Sequence, residues 1–144
     1  MSDKGQSQRI VVTGVIGEDV HITGIRILEH ALRSKGLQVM SLGIHNSQAD
    51  FVAAAREARA DAIFVSSLCG HAEMLVDGLR DKCIEAGLKN VLLYLGGQLV
   101  MHKVPWCEVE RKFKDMGFDR VFAPFVLPEP VLGQLQADLL ERGA

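Results

Sequence analysis

Five short apolar runs recur along the chain, and a segment with helical periodicity follows each of them. A run that is nearly continuous in apolar and β-branched residues is typical of a strand buried on both faces of a parallel sheet. The alternation therefore predicts a doubly wound, five-stranded α/β domain. Right-handed crossovers and the small number of strands favour the flavodoxin-like (Rossmann-like) order 2-1-3-4-5. The predicted strands are residues 9–15, 37–43, 61–68, 91–97 and 120–124.

Five helices are predicted between and after these strands. The first presents Ile25, Leu28 and Leu32 on one apolar face, with Glu29 turned away from that face. A capping-box-like SQAD at Ser47 begins the second. The third is predicted as one continuous helix, HAEMLVDGLRDKCIEAG, which ends in a glycine suited to a C-cap. The fourth and fifth follow from apolar spacing at residues 106–116 and 131–139.

Composition excludes several functional classes. The 144 residues suit one domain, here residues 9–144, after a polar and flexible N-terminal tail at residues 1–8. A net charge of -2 offers no reason to expect nucleic acid or an anionic membrane as a partner. No apolar run approaches the ~20 residues that span a bilayer. Three widely spaced cysteines suggest no disulfide framework, which favours a cytoplasmic location.

The loops after the first, third, fourth and fifth strands are the expected site. In doubly wound sheets, ligands bind beyond the carboxyl ends of the strands, near the point where the strand order reverses. Polar and glycine residues follow those strands in GEDVHITG, SSLCGHAE and GGQLVMH, and an apolar APFVLPEP follows the last. The polar and glycine-rich positions are therefore expected to converge on one edge of the sheet.

Three other sites with similar loops do not match this sequence. Gly14 and Gly17 surround the first turn, but GVIGEDVHITG does not contain the GxGxxG of a dinucleotide-binding loop. A phospho-acceptor receiver domain would need an Asp at the end of the third strand, where the chain has Ser66 and Ser67. The histidines form no pair with the spacing of zinc ligands.

The loop residues combine into three short motifs, in the order DxHxxG, SxL and GG. They are formed by Asp19, His21 and Gly24, by Ser66 and Leu68, and by Gly96 and Gly97. Their order and spacing resemble the cobalamin-binding signature. The stretches GVIGEDVHITGIRILEHAL, SSLCGHAE, GLRDKCIEAGLKN and ERKFKDMGFDRVFAP are similar to the small, sigma subunits of glutamate mutase (methylaspartate mutase). The related CoA-mutase domains carry DGHDRG in the first loop, where this chain has DVHITG.

The resemblance implies that the chain binds adenosylcobalamin. His21 would be the lower axial ligand of cobalt, and Asp19 would hydrogen-bond the second imidazole nitrogen and orient the ring. Ser66 would offer its hydroxyl to a nitrogen of the displaced nucleotide base. The glycines would let the backbone approach the nucleotide tail. The expected cofactor-binding residues are Glu18, Asp19, Val20, His21, Ile22, Gly24, Ser66, Ser67, Leu68, Gly96, Gly97, Gln98, Leu99, Val100, Met101, His102, Phe122 and Pro124.

The resemblance also implies a division of labour between two chains. This chain would carry the cofactor of an isomerase that interconverts L-glutamate and threo-3-methyl-L-aspartate, and no catalytic residue is expected on it. A separate, larger barrel-type subunit would bind the substrate, in a heterotetramer of two small and two large subunits. Apolar residues 122–127 are a candidate contact surface, or simply a strand end folded inward. Two alternatives remain: the cobalamin-binding subunit of another mutase or aminomutase, and a non-enzymatic corrinoid carrier or sensor.

Overall fold

The computed structural model describes residues 9–17, 23–67, 71–99, 103–124 and 126–143, so the predicted tail at residues 1–8 lies outside the described residues. Five parallel strands form one sheet in the order β2-β1-β3-β4-β5, which confirms the predicted fold class and strand order. Each strand lies within a predicted run. The strands are β1 (Ile10–Val15), β2 (Gln38–Ser41), β3 (Ala62–Ser66), β4 (Leu92–Gly96) and β5 (Arg120–Phe122).

Six helices accompany the sheet in the part of the chain that the structure describes. They are α1 (Thr23–Ser34), α2 (Gln48–Ala58), α3 (Ala72–Val76), α4 (Leu79–Glu85), α5 (Trp106–Asp115) and α6 (Pro128–Gly143). The prediction of one continuous third helix is wrong, because α3 and α4 are separate. Asp77 is extended (ψ 127°) and Gly78 adopts the left-handed conformation (φ 80°), so the helical hydrogen bonds cannot continue. None of these helices is long and apolar enough to cross a membrane.

The start of α2 forms the predicted capping box. Asp50 donates its backbone N–H to the Ser47 hydroxyl at 3.2 Å, and Ser47 donates its own to the Asp50 carboxylate at 2.8 Å. Two N–H groups that the helix leaves unpaired are satisfied in this way. The sequence pattern therefore predicted the N-cap of this helix, Ser47, correctly.

The two faces of the sheet carry separate cores. Helices α1 and α6 cover one face, where Val11, Val15 and Phe64 meet apolar residues of both helices. Helices α2 to α5 cover the other face, where Val12 and Ile63 belong to a second cluster. Because successive strand residues point to opposite faces, neighbours in one strand enter different cores.

Glu29 is buried, although the helical pattern placed it away from the apolar face of α1. Its side chain is 1% exposed, and the Thr13 hydroxyl of β1 donates to its Oε2 at 2.5 Å. The other carboxylate oxygen, Oε1, has no hydrogen-bond partner in the described part of the chain. A buried carboxyl group is tolerated when it is hydrogen-bonded. The strand therefore supplies a partner that the pattern of the helix alone does not reveal.

A polar network anchors α6 to the sheet. Tyr94 of β4 donates to the Asp138 carboxylate, and Arg120 of β5 donates to it through Nε at 3.1 Å and Nη2 at 3.0 Å. Gln134 donates at 3.1 Å. Burial alone would raise the pKa of Asp138, but the hydrogen bonds from these three residues lower it overall. Burial, and then the bond to Asp138, raise the pKa of Tyr94.

Asp138→Asn is expected to lower the free energy of unfolding at pH 7 by about 1–2 kcal/mol, because three donors lose a charged acceptor. The folded-state pKa of Asp138 lies below its unfolded value. Its stabilising contribution is therefore complete above about pH 4 and is lost as the pH falls through the folded-state pKa. Urea unfolding of both proteins between pH 3 and pH 7 checks this.

The matched control is Asp115→Asn at the exposed end of α5, which should change stability by less than about 0.5 kcal/mol. A stability difference between wild type and Asp138→Asn that stays constant from pH 7 to pH 3 would contradict the role given to the carboxylate.

Candidate functional site

A cleft of about 710 Å³ opens at the carboxyl edge of the sheet. Its base is formed by Phe64 and Ser66 of β3 and by Gly96 at the end of β4. Its size falls in the range of small-molecule sites, about 300–1,000 Å³. The remaining lining residues are Gly24, Ile25, Ile27 and Leu28 on one side, Gly97 and Gln98 after β4, and Ala123, Pro124, Val126, Leu127, Pro128 and Val131 on the other side.

The register of the sheet explains which residues meet here. Ser66 pairs with Val15 on one side and with Gly96 on the other, and Gly96 pairs with Phe122. These residues form one row across the carboxyl ends of four strands. The cleft therefore lies where the loops after β3, β4 and β5 begin, at the edge that the topology rule predicts.

An aromatic group lies at the base of the cleft. The Phe64 ring is stacked on Phe122, with centroids 6.1 Å apart and planes 20° apart. Tyr94 meets Phe122 edge-on at 5.5 Å, and the hydrogen bond to Asp138 holds Tyr94 in turn. Phe64 is not among the predicted site residues. Its position two residues before Ser66, hence on the same face of β3, was the available signal.

The three glycines of the site have different structural roles. A Cβ on Gly96 would lie 2.9 Å from Cζ of Phe64, so this glycine makes room for the aromatic ring. Gly97 has φ 115°, a backbone conformation that side chains rarely adopt, and it turns the chain after β4. Gly24 lines the cleft, and a Cβ added there would meet no atom of the described residues within 4 Å.

Ser67 and Leu99 are predicted cofactor residues whose side chains do not line the cleft. Leu99 is buried in the core between the sheet and α2 to α5. Ser67 donates its backbone N–H to the Gly96 carbonyl at 3.0 Å, and its buried hydroxyl has no hydrogen-bond partner among the described residues. The strand pleat alternates side chains, so Ser66 enters the cleft and Ser67 points to the opposite layer.

Half of the predicted residues lie outside the described part of the chain. They are Glu18, Asp19, Val20, His21, Ile22, Leu68, Val100, Met101 and His102. Their roles stay predictions. The structure brings the others together as follows: Gly24, Ser66, Gly96, Gly97, Gln98 and Pro124 line the cleft, and Phe122 lies behind Phe64.

The described lining of the cleft contains no Lys, Arg, Asp or Glu side chain. Ser66 and Gln98 supply its polar side chains, and the aliphatic and aromatic residues form most of its wall. An uncharged and largely apolar wall suits a flat, neutral group that needs few hydrogen bonds. It does not suit a dicarboxylate, which would lose its water without gaining a cation.

Comparison with known proteins agrees with this geometry. The model of the B12 binding domain matches residues 9–125. A glutamate mutase sigma subunit from Carboxydothermus hydrogenoformans is 55% identical over 129 residues, which are 90% of this chain and 94% of that protein. One from Clostridium tetani is 48% identical over 132 residues, 92% of this chain and 96% of that protein. The chain belongs to the glutamate mutase sigma subunits. The resemblance seen in the motifs is thereby confirmed.

A solved structure is similar to this member of the sigma subunits in fold. It is a cobalamin-binding protein from Desulfitobacterium hafniense DCB-2, with a TM-score of 0.74 and 19% sequence identity. The match covers 92% of this chain and 60% of that one. At this identity the likeness supports the fold alone.

Proposed function

We propose that this chain holds adenosylcobalamin for a glutamate mutase, with His21 as the lower ligand of cobalt and the nucleotide tail in the cleft. As a member of the sigma subunits, the chain is the cobalamin-binding subunit of glutamate mutase, an isomerase with a second subunit. The adenosyl form, the ligand residues, the path of the tail and the reacting amino acid are our additions.

The observation that carries the proposal is the cleft itself. It is uncharged along its described lining, it offers the Ser66 hydroxyl at its base, and it reaches Gly24, the last residue of the DxHxxG motif. Gly24 lines the cleft and leaves free space there, because a Cβ added to it would meet no described atom within 4 Å. The described residues therefore fit a flat base carried on a ribose.

The residues of the chain would bind and orient the cofactor. A neutral imidazole nitrogen of His21 would hold cobalt, and Asp19 would accept a hydrogen bond from the other nitrogen and fix the tautomer. Ser66 would donate its hydroxyl proton to a ring nitrogen of the base. Apolar walls would exclude water from that bond and strengthen it. Adenosylcobalamin supplies the radical chemistry that rearranges the carbon skeleton of L-glutamate.

A larger, barrel-type partner would complete the site, in an assembly of two small and two large chains. Val126 and Leu127 support a contact beside the cleft, because Leu127 is 67% exposed and Val126 is 37% exposed. Within the candidate surface at residues 122–127, Phe122 therefore packs inward, whereas Val126 and Leu127 face outward. Phe125, between them, lies outside the described residues.

Gly24→Leu is expected to weaken cobalamin binding by tenfold or more, because the added side chain would occupy the cleft. Stability should be unchanged or slightly raised, since leucine is a better helix former than glycine by up to about 1 kcal/mol. Absorbance titration of the purified chain with adenosylcobalamin measures the affinity and also tests the proposed function directly.

The matched control is Gly133→Leu in α6, another exposed helical glycine with nothing within 4 Å of its added Cβ. It does not line the cleft, so its affinity should stay within about twofold of wild type. Normal affinity in Gly24→Leu would show that the nucleotide tail does not pass this position. Absence of binding by the wild-type chain would reject the cofactor assignment.

A further inference from the structure

A buried polar side chain, that of Asn46, holds the carboxyl end of β1. Asn46 lies in the loop between β2 and α2, directly before the N-cap Ser47, and it is 8% exposed. Its Nδ2 donates to the carbonyl oxygens of Val15 at 3.2 Å, Leu42 at 3.3 Å and Gly43 at 3.0 Å. The side-chain amide therefore links the last residue of β1 to the loop after β2.

The main chain of Asn46 bonds the same strand. Its N–H donates to the Val15 carbonyl at 3.2 Å, and its carbonyl accepts from the Gly17 N–H at 2.8 Å. On the other side of β1, Ile16 donates its N–H to the Ser66 carbonyl at 3.0 Å. The exit of β1, residues 15–17, is therefore fixed between the loop after β2 and the end of β3.

Gly14 and Gly17, the two glycines near the first turn, make room for this arrangement. A Cβ on Gly14 would lie 3.1 Å from Nδ2 of Asn46, so the absent side chain leaves space for the amide. A Cβ on Gly17 would lie 3.0 Å from Cδ1 of Leu75, which packs against the exit of β1 from α3. Both glycines are therefore explained by packing around the exit of β1.

The loop after β2 bends to bring Asn46 to this position. His45 has φ 62°, in the left-handed region that is uncommon for a residue with a side chain. Such a conformation persists where the surrounding contacts fix it. Those contacts are the capping box of Ser47 and Asp50, which follows, and the bonds from Asn46 to β1. Asn46 is therefore held between the start of α2 and the exit of β1.

We propose that Asn46 is a positioning residue for the cobalt ligand, and that it acts by fixing the direction in which the chain leaves β1. The inference rests on the proposed function, because it requires His21 to bind cobalt. His21 follows Gly17 by four residues, and Ser66, which bonds the same exit, lines the cleft. A loop that starts from a fixed peptide loses less conformational freedom when it binds, so its affinity is higher.

The test compares adenosylcobalamin with its isolated nucleotide tail, dimethylbenzimidazole ribonucleotide, which contains no cobalt. Dissociation constants of the full chain and of Asn46→Ala are measured by absorbance for the cofactor and by calorimetry for the tail. We expect Asn46→Ala to bind adenosylcobalamin about tenfold more weakly, the lower end of the range for residues that orient a metal-bound histidine. Its affinity for the tail should stay within about twofold of wild type, because Asn46 does not line the cleft.

Asp61→Ala is the matched control. Asp61 is 2% exposed and accepts a hydrogen bond from the Ile10 N–H at 2.9 Å, so it holds the main chain of β1 at the opposite, amino end. This variant should be less stable to urea, yet it should bind both ligands within about twofold of wild type.

Two further variants complete the design. Asn46→Ser keeps a single, shorter donor and should bind adenosylcobalamin about threefold more weakly. When His21 is already alanine, adding Asn46→Ala should change the affinity for adenosylcobalamin by less than about twofold, because the ligand that it positions is gone. A side chain that merely stabilised the fold would weaken binding equally in both backgrounds.

The outcomes separate the inference from the proposed function. Equal weakening of both ligands in Asn46→Ala, or unchanged affinity for adenosylcobalamin, would overturn the inference and leave the cofactor assignment standing. If Asn46→Ala does not fold, the same comparison in Asn46→Ser decides. If His21→Ala binds adenosylcobalamin as tightly as wild type, the assigned ligand is wrong and the inference fails with it. If the wild type binds neither ligand, the proposed function itself fails.

Discussion

Replacing His21 by alanine is expected to remove histidine nitrogen from the coordination of cobalt in the complex of this chain with cob(II)alamin. Under the proposed function the nucleotide base is displaced from cobalt, so His21 of the DxHxxG motif would supply the lower ligand. Electron paramagnetic resonance with nitrogen-15 labelled histidine reads that bond directly. The wild type should show the coupling of one histidine nitrogen, and the variant should show none.

His30→Ala is the control for this experiment. His30 is exposed on α1, nine positions after His21, and it lies outside the lining of the cleft. Its removal should leave the spectrum unchanged. Asp19→Asn should keep the coupling but lower the affinity roughly 10- to 100-fold, as for other residues that orient a metal-bound histidine. A histidine coupling that persists in His21→Ala would reject the assigned ligand.

The sheet was predictable because its strands leave a strong and local signal. Strands β1, β3 and β4 are buried on both faces, so most of their residues are apolar, and helical segments separate each strand from the next. The break between α3 and α4 was not predictable in the same way. Leu75, Val76 and Leu79 continue a helical spacing across it, and Gly78 is tolerated inside many helices. Only the folded chain shows that Gly78 takes a left-handed conformation.

The sequence predicted which loops form the site, but it did not predict which side chains of those loops point into the cleft. Motif spacing selected Ser66 and Gly96, which line the cleft. The prediction also included Ser67 and Leu99 from the same loops, and their side chains do not line the cleft, because position in a loop does not give the direction of a side chain. Phe64 was missed for the converse reason. An aromatic residue within an apolar run is indistinguishable from a core residue until the register places it beside Ser66.

The structure gives a reason for glycine at position 96 that the motif alone does not suggest. The sequence suggests that its lack of a Cβ serves a close approach of the cofactor. In the structure the nearest atom to an added Cβ is Cζ of Phe64, at 2.9 Å. A side chain at this position would displace the ring, and the ring is part of the base of the cleft. The glycine can therefore affect cofactor binding through Phe64.

The chain alone is expected to bind adenosylcobalamin and to convert no L-glutamate, whereas adding a glutamate mutase barrel subunit should start turnover. The described lining of the cleft has no cation that could hold a dicarboxylate. A radical rearrangement also requires a chamber closed to water, and a cofactor held at one open edge of the sheet would lack such a chamber until a partner covered it. The affinity for the cofactor should rise with the partner, because the corrin would then be buried between two proteins.

A coupled assay for threo-3-methyl-L-aspartate measures this, with each subunit alone and with both together. His21→Ala plus the partner serves as the control that turnover depends on the cofactor held by this chain. Turnover by the isolated chain would contradict the prediction that a second subunit is required. Activity with the barrel subunit of another mutase, and none with that of glutamate mutase, would keep the cobalamin role and reject glutamate as the substrate. Since the described lining of the cleft carries no charged side chain, the proposed function leaves the choice between these substrates to the partner subunit.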